Sequence, residues 1–104
     1  MTSSDRKAVR TAAERLQSLA GRTTGGDWRI GGLLASRPEV IAHRVDGTEH
    51  VAEARAGTAA WITTLSPAIA GPLVSWLRAA ADGDTVDPAA VTLARTLLDR
   101  LPNS

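Results

Sequence analysis

The segment from Ala59 to Ala81 constrains the fold most, because it contains the longest apolar run and two of the three tryptophans. Its large apolar residues recur at spacings of three and four, which predicts helix with a buried stripe. Ser66-Pro67 interrupts it with a good N-cap followed by a residue suited to the first helical position. We therefore predict a helix at Thr58–Leu65, capped by Thr58, and a second helix from Pro67 to about Ala81.

Pro72 leaves two alternatives for the second helix. A proline beyond the first helical turn removes one backbone hydrogen bond and crowds the preceding turn, at roughly 3 kcal/mol. Either the helix kinks at Pro72, or Pro67–Gly71 forms a separate turn and the main helix begins at Pro72.

Two further helices are predicted at the ends of the chain. Apolar residues spaced by three and four mark a helix at Ser4–Ala20, with Ser4 as N-cap and Gly21 as the residue after its end. Asp87-Pro88 repeats the arrangement of a cap followed by proline and begins the last helix, which Pro102 ends.

A small antiparallel sheet is predicted between these helices. Trp28-Arg29-Ile30 alternates as a strand does, and Leu33–Ala35 either finishes or restarts that strand. Glu39–Arg55 reads as a hairpin around Asp46-Gly47, a pair favoured in two-residue type I′ loops. In that register Arg44 faces Glu49 and His43 faces His50, whereas a longer loop would shift the pairing. The inward face would then carry Ile41, Val45, Ala52 and Ala54.

The predicted fold class is therefore α+β. An N-terminal helix precedes an antiparallel sheet of two to three strands, and two to three C-terminal helices follow. A length of 104 residues fits a single domain spanning 1–104.

Composition excludes several classes of function. The chain has no cysteine, which excludes disulfides, thiolate catalysis and cysteine-based zinc sites. A formal net charge of +1 is not the strongly basic balance of nucleic-acid binders. We expect no signal peptide and no apolar stretch of the roughly 18 to 20 residues that a membrane helix needs, and hence a cytoplasmic protein.

One constellation offers a candidate metal site. If His43 and His50 face each other across the hairpin, their imidazoles could share a Zn²⁺, with Glu39 or Glu53 as third ligand. The alternative is two half-exposed histidines with no ligand. No serine lies in a nucleophile elbow and no stretch matches a nucleotide-binding fingerprint, so we predict no catalytic residues and no cofactor.

Three stretches together resemble a known group: RTTGGDW at 22–28, EARAGTAAWITTLSPAIAGPLVSWLRAAA at 53–81 and DPAAVTLARTLL at 87–98. They resemble short uncharacterised proteins of actinobacteria and their phages, with an N-terminal helix, a Thr-x-Gly-x-Trp turn, a β-meander and Ala/Leu-rich helices. The resemblance implies this fold outline and an accessory role linked to a mobile element.

The function expected from the sequence is that of a non-enzymatic accessory or protein-interaction module that self-associates. No small-molecule substrate is evident. The expected interface is apolar and consists of Trp61, Leu73, Trp76 and Leu77. The alternatives are a nucleic-acid-associated protein using Arg6, Lys7, Arg10 and Arg15, and a metal-dependent enzyme using His43 and His50.

Overall fold

The structure is a computed structural model that describes residues 3–31 and 38–102. The predicted α+β class is confirmed: an N-terminal helix, a three-stranded antiparallel sheet and C-terminal helices follow one another. The elements are α1 (Ser3–Gly21), β1 (Asp27–Gly31), β2 (Glu39–Arg44), β3 (Gly47–Glu53), α2 (Ala56–Thr64), a 3-10 turn (Pro67–Ile69), α3 (Ala70–Asp82) and α4 (Pro88–Arg100). The strand predicted at Leu33–Ala35 lies outside the described residues.

The contacts of the chain fall into two compact units. The helical unit comprises Met1–Arg22 and Ala70–Ser104, and the sheet unit comprises Thr23–Ile69. The single domain predicted for 1–104 stays a prediction.

The helical unit is built from α1, α3 and α4. Helix α1 packs against both α3 and α4. Because the buried positions are mostly alanine and valine, the helices can approach closely, and Leu77 is the largest completely buried side chain. The buried cluster consists of Val9, Ala12, Ala13, Val74, Leu77, Ala81, Val86, Ala90 and Ala94.

The helix ends follow local chemistry where a side chain can bond the backbone. Asp87 caps α4, its Oδ1 accepting from Ala89 N at 2.9 Å, and Pro88 follows at the first turn, as predicted. The caps predicted at Ser4 and Thr58 are wrong, since α1 begins at Ser3 and α2 begins at Ala56 after Arg55. Gly21 is the last residue of α1 and does not have positive φ.

The break at Ser66-Pro67 is confirmed, and Pro72 lies in the first turn of α3. Ser66 Oγ accepts from Ala68 N at 3.4 Å, and the 3-10 turn begins at Pro67. Helix α3 then starts at Ala70, so Pro72 is its third residue. The first four N–H groups of a helix have no partner within it, so Pro72 removes no hydrogen bond there. Of the two predicted alternatives, the structure is closer to the one with a separate turn before the main helix.

In the sheet unit the strands lie in the order β1-β2-β3. Arg44 pairs with Gly47 and His43 with Thr48, so the hairpin loop is Val45-Asp46 and not Asp46-Gly47. Of the described residues, only Gly26 and Gly47 have positive φ. A type I′ turn needs positive φ at both central residues, whereas a type I turn keeps both negative and favours glycine directly after them. The loop therefore lies one residue earlier than predicted, which shifts the strand pairing by two residues: Arg44 is aligned with Gly47 and not with Glu49.

The side chains that lie inside also differ from the prediction. Val40 and Ala42 are completely buried, whereas Val45 is fully exposed in the turn. The predicted inward face that contained Ile41 and Val45 is therefore wrong. Helix α2 contacts β1 and β2 and buries Ala59 completely, so it covers the sheet face that carries Val40 and Ala42.

Gly26 fixes the way the chain enters the sheet. Its φ is 93°, and a Cβ there would lie 2.6 Å from Arg44 Cγ and 2.8 Å from His43 O. Only glycine allows β1 to begin this close to the end of β2.

Candidate interaction surface

The sheet unit exposes several large apolar side chains that a monomer would be expected to bury. Trp61 is 68% exposed, Leu65 50%, Ile69 39% and Ile30 48%. Trp61, Leu65 and Ile69 follow one another at four-residue spacing, and Leu65 N donates to Trp61 O at 3.0 Å. The sequence places Leu65 and Ile69 in a buried stripe and Trp61 at an interface, and all three are exposed to solvent.

Helix α2 carries no charged side chain although it lies largely at the surface. Residues 56–77 contain no charged side chain, and of α2 only Ala59 is buried. A surface helix normally carries charged and polar residues on the face opposite its apolar stripe. The composition of α2 therefore indicates that another molecular surface covers this helix.

A groove of about 450 Å³ lies between β1 and the segment from α2 to the 3-10 turn. The strand contributes four consecutive residues to its lining. Successive side chains of a strand point to opposite faces, so the groove follows the edge of β1. The lining residues are Asp27, Trp28, Arg29, Ile30, Thr63, Thr64, Ser66, Ala68 and Ile69.

Apart from the Thr64 hydroxyl, the polar side chains of the groove are engaged within the chain. Arg29 Nε lies 2.7 Å from Asp27 Oδ2, so the two charges compensate each other. Trp28 Nε1 donates to Thr24 O at 3.1 Å, and Thr63 Oγ1 donates to the carbonyls of the preceding helical turn. Buried Ser66 accepts from Ala68 N. What remains for a partner is apolar surface, the Thr64 hydroxyl and the backbone of β1.

The four residues of the predicted interface differ in accessibility. Trp61 in the sheet unit and Trp76 in the helical unit are exposed, at 68% and 44%. Leu73 is half-buried against the helical core, and Leu77 is completely buried within it. Leu77 thus offers no surface to a partner.

His43 and His50 do not face each other, which corrects the geometry expected for a zinc site. His43 is aligned with Thr48 and Asp27, and His50 is aligned with Ile41. Nδ1 of His50 lies 3.4 Å from Glu39 Oε2. Within 3–31 and 38–102, no three His, Asp or Glu side chains are grouped as metal ligands.

Two of the four basic residues proposed for nucleic-acid binding are held by the helical unit itself. Arg6 donates to backbone carbonyls at the end of α3, including Gly83 O at 2.7 Å. Arg10 Nη2 lies 3.2 Å from Asp82 Oδ1. Lys7 is exposed and Arg15 is half-buried. A small charged cleft of about 210 Å³ lies beside Arg10, and Glu14, Arg78 and Asp82 line the rest of it.

Sequence reasoning named Trp61 as an interface residue, but it missed Ile30 as a surface residue and placed Leu65 and Ile69 in a buried stripe. Apolar periodicity gives the side of a helix that avoids water but not what covers that side. The available signal was the absence of charge through 56–77, which left α2 without a charged face for solvent.

One segment of the described chain passes the length and composition test for a membrane span. It runs from Ala56 to Asp82, with a mean hydropathy of 1.2 and 22% of its most apolar window buried. The expectation that no stretch would pass is therefore wrong. The segment is interrupted at 65–69, where α2 ends and the 3-10 turn intervenes.

The predicted resemblance to actinobacterial and phage proteins stays a prediction. Comparison of the chain with protein-family models, curated proteins and solved structures found no match.

Proposed function

We propose that this chain is a non-enzymatic interaction module that self-associates through its sheet unit. The observation that carries the proposal is the exposure of Ile30, Trp61, Leu65 and Ile69 within one compact unit. Exposed apolar groups of this kind are typical of interaction surfaces.

Trp61 is the expected centre of the contact. Tryptophan is enriched among residues that dominate binding energy, because a large rigid side chain loses little entropy when it becomes ordered. At 68% exposure, Trp61 leaves most of its indole available for burial.

The non-enzymatic part of the proposal is supported by how the groove uses its polar groups. A catalytic site holds reactive groups ready for substrate. Here the Asp27 carboxylate pairs with Arg29, and the hydroxyl groups of Thr63 and Ser66 bond to neighbouring backbone.

Sedimentation velocity over a concentration series tests self-association. We expect the wild-type chain to shift from monomer to dimer with concentration. Trp61→Ser should weaken the dimer by about 2 kcal/mol, roughly thirtyfold in Kd. Val45→Ser is the matched control, since it removes an exposed apolar side chain from the hairpin turn, outside the lining of the groove. A wild-type chain that stays monomeric throughout the series refutes the proposal.

A lipid surface is the competing occupant of the same side chains, because 56–77 is free of charge and carries Trp61 and Trp76. Flotation with vesicles of neutral and anionic phospholipid separates the two cases. Self-association predicts dimers that stay with the soluble fraction. If the wild-type chain floats with the vesicles and Trp61→Ser does not, the partner of this surface is a membrane and not a second copy.

A further inference from the structure

We propose that two copies of this chain join through β1, pairing antiparallel along the groove so that one sheet continues across both copies. This inference rests on the proposed self-association and names its mode. The exposed apolar side chains supply the driving force, and the strand edge sets the geometry.

Strand β1 lies at one edge of the described sheet and pairs only with β2. The outward backbone groups of an edge strand are unpaired donors and acceptors, which match another extended strand. The groove lies along this strand, beside Trp28 and Ile30. A strand added at this edge would therefore form backbone hydrogen bonds with β1 and pack against apolar side chains of the groove.

The other edge of the sheet is less suited to pairing. Strand β3 carries Glu49 and Glu53, and a register irregularity lies beside Val51. Charges and bulges are the devices by which natural sheets protect an edge. One open edge in the described sheet of each copy gives a closed dimer and not a fibre.

The sequence of β1, DWRIG, is complementary to itself in the antiparallel direction. A two-fold axis at Arg29 aligns Trp28 of each copy with Ile30 of the other. Aromatic side chains opposite β-branched ones are favourable cross-strand pairs. Both pairs would lie on the sheet face that α2 covers, because Trp28 is aligned with Ala42 and Ile30 with Val40.

The charges of β1 also permit this register. The two Arg29 side chains would face each other, which alone would be unfavourable. Asp27 lies two residues away on the same face and already contacts Arg29 at 2.7 Å. The two copies together therefore bring two positive and two negative charges to the opposite face, where they compensate.

Disulfide trapping tests the register, since the chain contains no cysteine. Residues opposite each other in antiparallel strands have Cα atoms about 4.5–5.5 Å apart, within the roughly 4.4–6.8 Å that a disulfide spans. Arg29→Cys places one thiol of each copy at the two-fold axis. Thr48→Cys on β3 is the control, because Thr48 is also an exposed strand residue.

We expect Arg29→Cys to cross-link under mild oxidation at least about tenfold faster than Thr48→Cys, because pairing raises the effective thiol concentration. Ile30→Asp provides a second measurement. This substitution should raise the Kd of the dimer above that of the wild-type chain, while circular dichroism shows an unchanged fold. Equal cross-linking rates in a chain that still dimerises overturn strand pairing but leave self-association standing. A monomeric wild-type chain overturns both.

Discussion

Arg44 Nη2 lies 2.9 Å from Glu49 Oε2, although Glu49 is aligned with Ala42 and Arg44 with Gly47. The ion pair predicted from the sequence is thus present, but it joins diagonal and not opposite residues of the hairpin. A long arginine side chain spans this diagonal easily. The pair therefore forms in either register and does not select between them.

The predicted and the observed inward faces of the hairpin make opposite predictions for two valines. Val40 is completely buried and Val45 fully exposed. Val40→Ala should lower the free energy of unfolding by roughly 1 to 3 kcal/mol, because it removes buried methyl groups and leaves a cavity. Val45→Ala should change it by less than about 0.5 kcal/mol. Urea denaturation measures both, and a larger loss for Val45→Ala would restore the inward face that contains Val45.

Gly47 provides a backbone test of the same turn. Its φ is 143°, and no atom lies within 4 Å of the position a Cβ would take. Gly47→Ala should therefore destabilise the chain through backbone strain alone, by about 1–3 kcal/mol.

Gly57 in α2 is the matched control for Gly47. A Cβ added at Gly57 would also meet open space, but this glycine does not have positive φ. Gly57→Ala should raise stability by about 0.4–1 kcal/mol, because alanine lowers the entropy of the unfolded chain. Thermal unfolding of both variants checks the contrast. A stabilising Gly47→Ala would show that the turn does not need this backbone conformation.

The sequence specified the helices better than the sheet because helix signals are local. Asp87 and Pro88 lie directly beside the backbone groups they affect, so the start of α4 could be predicted. The hairpin signal Asp46-Gly47 was ambiguous, since the same glycine can lie within a type I′ turn or just after a type I turn. Moving that loop by one residue shifts the pairing by two and leaves the faces of the strands unchanged, so the turn signal does not say which face is buried.

The candidate surface could be predicted only in part. Trp61 and Trp76 stand out in the sequence, and both are exposed. Leu77 belongs to the same helical periodicity as Trp76 but is completely buried, because α3 turns that side toward α1. The groove beside β1 depends on residues from 27–30 and 63–69, whose proximity arises from tertiary packing.

Leu77 and Trp76 are neighbours in α3 whose substitutions should differ in kind. Leu77→Ala should destabilise the chain by about 2–5 kcal/mol, because it empties a completely buried site in the helical core. Trp76→Gln removes a side chain that is 44% exposed and should change stability much less. Guanidinium denaturation followed by circular dichroism compares them. Equal losses would mean that the indole of Trp76 is as important to the helical core as Leu77.

Arg6 joins the start of α1 to the end of α3. Its guanidinium donates to Ala81 O, to Gly83 O at 2.7 Å and to Asp84 O at 3.4 Å, where the helix dipole places partial negative charge. Arg6→Gln should lower the free energy of unfolding by about 1–2 kcal/mol, because these carbonyls lose a charged donor. Arg6→Lys should recover only part of the loss, since an ammonium cannot reproduce the planar set of donors.

Lys7→Gln removes an adjacent exposed charge and should leave stability within about 0.5 kcal/mol. Urea denaturation at low salt distinguishes the three variants, and equal effects at both positions would mean that Arg6 acts through net charge and not as a cap on α3.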